Sequence, residues 1–221
     1  MKSLKVILVS LSVFVFSLGS NAQGVVIRGG VNFQNINGKD ASGDKLENKI
    51  IPGFNVGIMA EASIAPQFFF QTGLLYSTKG AKSEDVLITS KINLGYLEVP
   101  FHFLFKPVLG NGHFILGVGP YAGFALTGKG TLEVGGKESD INIKFQKTVD
   151  ESDSSSDYYF KRFDAGANLF AGYEFAGGLS FQLNTQLGLL DINPEYSGVN
   201  DETKWNNTGY GISLGYRFGE K

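Results

Sequence analysis

Apolar side chains return at every second position through eight stretches of the chain, the period of a strand with one hydrophobic face. The first runs from about Val25 to Gln34, where Ile27, Val31 and Phe33 oppose Arg28, Asn32 and Gln34. The second, Gly53 to Ser63, sets Phe54, Val56, Ile58, Ala60 and Ala62 against Asn55, Gly57 and Glu61. The third spans Phe68 to Ser77, the fourth about Ile92 to Lys106, and the fifth Phe114 to Leu126 with a less regular alternation. The last three are Arg162 to Phe175, Ser180 to Leu189 and Gly209 to Phe218. No segment after Gln23 keeps a helical period.

The connections alternate in length. Ile64–Gln67, Pro107–Gly112 and Ala176–Gly178 are short, whereas 35–52, 78–91, 127–160 and 191–207 are long and polar. Short turns at one end and long loops at the other are the build of outer-membrane barrels. The pattern therefore predicts an all-β fold, an eight-stranded antiparallel up-and-down transmembrane β-barrel.

Three features place the apolar faces toward lipid. The opposite faces carry Gly, Ser, Asn and Gln, a poor solvated surface but a good packed polar interior. Strands of about 9–11 residues suffice to cross a bilayer when tilted. With the short turns in the periplasm, Phe68, Phe70, Phe103, Phe105, Phe175, Phe181, Tyr216 and Phe218 form an outward aromatic girdle at that end. Phe33, Phe54, Tyr76, Phe124, Phe163 and Tyr210 lie outward at the other, as two interfacial belts require.

Composition agrees. The chain has 221 residues with 30 Gly and 19 Phe, against a usual glycine share of roughly 7%. The absence of Cys removes disulfides, thiolate metal sites and a Cys nucleophile. Nineteen basic and 21 acidic residues carry no nucleic-acid signature. At the start, Lys2 and Lys5 precede an apolar run from Val6 to Leu18, and Ser20-Asn21-Ala22 ends it. This is the form of an export signal, with 1–22 removed and 23–221 the barrel domain. The expected location is the outer membrane, with its lipid as surroundings.

The inward faces hold the candidate chemistry. Arg28, Glu61, Glu174, Arg217 and Lys106 are expected toward the periplasmic end, with Glu98, His102, Asp164 and Arg162 at middle or outer depth. Charges away from water must be paired, so Arg28, Glu61, Glu98, His102, Asp164, Glu174 and Arg217 read as a polar plug in a narrow lumen. A proton or ion path is the alternative. Glu98 and His102 lie about 13 Å apart on one strand face at roughly 3.3 Å per residue, too far for an acid–base pair. His113 is placed in a turn. No nucleophile–base–orienter set emerges, so neither an enzyme nor a cofactor is expected.

In the third loop, Asp150–Tyr159 reads as a solvated segment, with hard-cation binding as the alternative. Gly128–Lys147 alternates enough to extend as a hairpin, which either presents an edge to a partner or is decoration. Trp205, the sole Trp, is read as an interfacial anchor or a ligand-stacking surface.

Leu74–Glu84, LLYSTKGAKSE, Leu94–Phe103, LGYLEVPFHF, and Phe114–Phe124, FILGVGPYAGF, resemble the PorT-like outer-membrane β-barrel family of Bacteroidetes. The closing Gly211–Phe218 resembles the aromatic-ended last strand of such barrels, although Gly219-Glu220-Lys221 follows. The resemblance implies an outer-membrane location and leaves activity open. The leading expectation is a non-enzymatic structural, accessory or docking role, with loops 127–160 and 191–207 meeting any protein partner. The alternatives are a secreted or periplasmic soluble β-barrel holding a small apolar ligand and a lipid-modifying barrel enzyme.

Overall fold

The structure, a computed structural model, describes residues 24–198 and 202–219. The expected export signal, residues 1–22, lies outside the described residues. Eight strands form the wall: β1 (Gly24–Lys39), β2 (Ile51–Ala65), β3 (Phe68–Glu84), β4 (Ile88–Phe105), β5 (Gly112–Val134), β6 (Phe163–Glu174), β7 (Leu179–Gly188) and β8 (Lys204–Phe218). Each pairs antiparallel with the next, through β4 with β5, β5 with β6 and β7 with β8. β8 returns to β1 from Val25 opposite Phe218 to Lys39 opposite Lys204, and the ring closes. Closure leaves none of the eight with an unpaired edge at membrane depth, where each orphaned backbone group costs several kcal/mol.

The faces are inverted relative to a water-soluble barrel. On β1, Val31 is 52% exposed while its neighbour Asn32 is 2% exposed. The same alternation runs along β7, where Phe181 and Leu183 face out and Ser180 and Gln182 are buried. Phe114 and Phe124 both face outward on β5. Ten residues apart, they span roughly 33 Å of strand, or roughly 25 Å of depth at the usual tilt. That depth matches the apolar band of an outer-membrane barrel.

The wall is lopsided. β3, β4 and β5 have 17, 18 and 23 residues, whereas β6 and β7 have 12 and 10. Segment 78–91, expected as a long loop, is mostly strand: Lys82 pairs with Lys91, and only 85–87 turn. Alternation fails to mark this stretch because a wall standing in water has no lipid face to write into the sequence. The expected hairpin in 128–147 is present, with β5 pairing to a strand at Lys137–Phe145. Gly135 and Gly136, at φ 57° and 82°, make its turn in a region that side chains rarely enter. Between β4 and β5 the register shifts at Gly95/Tyr96, part of why the fifth stretch alternates poorly.

Candidate functional site

The lumen is filled by polar side chains from all eight strands. Arg28, Glu61, Glu98, His102, Asp164 and Glu174 are each under 9% exposed, and Arg217 is half-buried. They fall into two charge-balanced groups. In the first, Lys106 Nζ lies 2.8 Å from Glu61 and 2.7 Å from Glu174, whose other oxygen accepts from Arg217 Nε at 2.9 Å. In the second, Lys79 Nζ lies 2.6 Å from Glu98 and 2.8 Å from Asp164. Arg28 lines the same small cavity as Glu98 and supplies the second cation there.

Lys79 is the residue the sequence reading missed. It falls in segment 78–91, which the pattern assigns to a loop, yet it shares β3's inward face with Gln71, Ser77 and Ala81 and is 1% exposed. The parity with Ser77 was the available signal. Its ammonium also lies over the rings of Tyr121 and Tyr96, 4.3 and 5.1 Å from their centroids. Tyr121 and Asn207 donate to the same Asp164 oxygen at 3.2 and 2.9 Å.

Carboxamides and the imidazole join the two groups. Gln186 Nε2 donates to Glu98 at 3.0 Å and to Asn168 at 3.1 Å, and Asn168 Nδ2 contacts His102 Nε2 at 3.1 Å. His102 Nδ1 faces Gln71 Oε1 at 3.4 Å, and Gln71 Nε2 donates to Glu61 at 3.2 Å. These directions fit a neutral His102 that donates from Nδ1. With both ring nitrogens occupied by carboxamides, His102 has no hydroxyl to activate. Phe170 packs edge-on against it at 4.9 Å. That ring sits where a Cβ on Gly117 would come within 2.2 Å of it, so Gly117 is what admits an aromatic to the lumen.

Several expected positions differ. Arg28 does not join the periplasmic group: its Nη1 lies 3.5 Å from Gln182 Oε1, and its guanidinium is 6.0 Å from the Phe170 ring. Barrel stagger lifts it, because residues level in sequence are offset in depth around the ring. Arg162 is at the rim rather than in the lumen, donating to the Ala125 carbonyl and lying over Phe124 and Phe145. His113 is in β5, opposite Glu174, and not in a turn. The acidic run at 150–159 does not converge: Asp153 accepts from Gln146, Asp157 pairs with Lys144, and Asp150 accepts from Ser197. Trp205 shares the inward face with Asn207 and packs on Phe160 at 5.3 Å, so it is no lipid anchor.

On the outside, aromatics meet across neighbouring strands or two residues apart along one strand. Phe68 pairs with Phe105, Phe70 with Phe103, Tyr173 with Phe175 and Tyr216 with Phe218 at the short-turn end. Phe181, also at that end, is outward and exposed. Phe33–Tyr210 and Phe124–Phe163 meet at the other end.

The cavity beside Arg28, Glu98 and His102 measures about 30 Å3, room for about one or two waters. The space among these residues is thus too small for a solute larger than water.

A closed ring of eight strands with apolar faces outward and a packed polar interior is a transmembrane β-barrel of the outer-membrane class. The chain belongs to the outer membrane protein beta-barrel domain family, whose model matches residues 20–193. Among solved structures it is similar to Ail, the attachment invasion locus protein of Yersinia pestis, at 14% identity and TM-score 0.40, covering 89% of this chain and 99% of that one. It is also similar to neisserial surface protein A, at 11% identity, TM-score 0.43 and coverage of 88% and 97%. OprG from Pseudomonas aeruginosa aligns at 14% identity and TM-score 0.48, over 90% and 98%. No curated protein matches the chain.

Proposed function

We propose that the protein is an exported, PorT-like outer-membrane barrel with a non-enzymatic structural or docking role, working through its long-strand end. In this reading 1–22 is a cleaved signal, the lumen residues are a structural plug, and the aromatic pairs hold the barrel at the two interfaces.

The observation that carries the reading is the filled lumen. The hydrogen-bonded chain from Asp164 to Arg217 could suggest a proton path, but it passes through Gln186, Asn168 and Gln71. A carboxamide donates and accepts hydrogen bonds without taking up or releasing a proton near neutral pH, so these groups insulate one charged set from the other. A plug fits such an arrangement and conduction does not.

The docking role draws support from the hairpin beyond the membrane. Lys137–Asn142 gives one edge to β5, and its other edge has no strand partner among the described residues. Such an edge can accept a strand from another protein. This edge lies within segment 127–160, which with 191–207 is the surface proposed for a partner.

Fractionation with boiled and unboiled gel samples, followed by planar-bilayer recording, tests the reading. Membrane recovery, heat-dependent migration and no steady conductance are expected. Soluble recovery without detergent or a steady channel current overturns it.

A further inference from the structure

Past the plug the barrel interior changes character. Along β4 the inward positions run from Glu98 through Tyr96 and Leu94 to Ile92, from charge to hydrocarbon, toward the end where the long strands finish. Leu94, Tyr96, Ile36, Ala81, Phe160 and Ile192 form a buried apolar layer there. This layer separates Lys79 and its carboxylates from a chamber of about 430 Å3, within the roughly 300–1,000 Å3 span of small-molecule sites.

The chamber is lined mainly by hydrocarbon and aromatic surface, including Ile36, Ile92, Leu132, Phe160 and Trp205. Asp85 is its one charged lining residue, and that carboxylate already accepts from the Val86 amide at 2.7 Å. The neutral polar groups on the lining are the Asn48 amide, the hydroxyls of Ser83, Ser90 and Tyr158, and the Trp205 indole N–H. The Asn48 amide nitrogen is spent on the Ile36 carbonyl at 2.8 Å, which leaves its oxygen. The Ser90 hydroxyl, also on the lining, is buried with no hydrogen-bond partner among the described residues.

We infer that this chamber binds a small, uncharged, mainly apolar molecule whose hydroxyl or carbonyl group meets Ser90. Water in an apolar chamber gains few hydrogen bonds, so an apolar occupant that releases it is favoured. A charged ligand would lose its hydration with no partner of opposite sign beyond Asp85. A peptide would bring backbone groups that the lining cannot pair. The unspent, buried Ser90 hydroxyl is one of the few polar groups on the lining, and such groups fix orientation in sites of this kind. The inference goes beyond the docking role and does not rest on it, since binding is read on the purified barrel.

Trp205 is the only Trp in the chain and lines the chamber, so its emission reports one place. Full-length protein in lipid nanodiscs is titrated with 2-naphthol and, separately, with naphthalene, which lacks the hydroxyl. Saturable quenching by 2-naphthol is expected. Ser90→Ala should weaken 2-naphthol at least threefold and leave naphthalene unchanged. Ala81→Phe, which fills the chamber, should weaken both at least tenfold while heat-dependent gel migration shows a folded barrel. Should Ala81→Phe fail to fold, Ser90→Ala with the two probes still decides. Quenching that rises linearly without saturation, or midpoints unchanged in Ser90→Ala for both probes, overturns the inference.

Discussion

Lys79 Nζ lies 2.6 Å from Glu98 Oε1, and neither side chain is exposed. With Asp164 at 2.8 Å on the same ammonium, one cation holds two carboxylates together inside the wall. Removing one member of a buried ion pair typically costs about 3–5 kcal/mol, because the partner's charge stays buried. Lys79→Met should therefore lower the unfolding free energy of the refolded barrel by about that much, read from denaturant midpoints. Combining it with Asp164→Asn, which leaves Glu98 beside Arg28, should recover most of the loss. A single substitution of no effect would show that the group is not the strut described.

Glu61 tests the other charged set. Glu61→Leu leaves Lys106 with Glu174 alone and strands the Gln71 amide. The barrel should lose about 3–5 kcal/mol of stability and remain non-conducting in planar bilayers. A current appearing in a well-folded variant would show that the lumen is a gated path instead of a plug.

Gly117 and Phe170 should be coupled. A side chain at 117 enters the space of the Phe170 ring, and overpacking of this kind costs about 1–3 kcal/mol. Gly117→Ala should destabilise the wild type and be nearly silent beside Phe170→Ala, as a double-mutant cycle on unfolding midpoints would register. Additive effects would mean that the two sites do not share one space.

The segment beyond the membrane should be dispensable for the barrel. Deleting Gly130–Asp157 removes the far end of β5 and the Lys137–Phe145 strand but none of the register from β6 to β7. Heat-dependent migration should survive, while any partner recovered with the full-length protein from gently solubilised membranes should be lost. Failure to insert would make the segment structural.

The same region carries a pH dependence. Hydrogen bonds from Lys49 and then Lys82 pull the Glu84 carboxyl down to about 2, and the Lys144 hydrogen bond holds Asp157 below the usual aspartate range. A carboxyl whose pKa is depressed on folding stabilises above its unfolded value and loses that contribution as pH falls through the folded one. The loop at 146–160, tied down through Asp157, should therefore keep its protease resistance from pH 7 to 5 and lose it as pH falls through and below the usual aspartate range. Asp157→Asn should already be more susceptible at pH 7 and vary less across that window.

How much was legible depended on what each face met. Wherever one side of a strand meets lipid and the other the lumen, as at Phe181 and Gln182, alternation marked strand, face and the two aromatic rows. Lys79 shows where this stops: it is a lumen residue on the last inward turns of a strand whose outer part stands in water. There both faces tolerate polar groups, so the pattern faded and the strand read as loop. Trp205 was ambiguous for a similar reason, since an aromatic near an interface fits either side of the wall until its neighbours are known.

The family resemblance and the alternation together were enough to determine an eight-stranded outer-membrane barrel with a polar interior, because lipid imposes a local, residue-by-residue demand. Which polar groups meet was decided only by closure and stagger. Glu61 and Glu174 come from strands on different sides of the ring and share Lys106, which directly follows the end of a third, a relation no local spacing encodes. Closure likewise separates the two charged sets by carboxamides and leaves an apolar chamber above them. Those are properties of the shared interior, and they exist only once the eight strands enclose one.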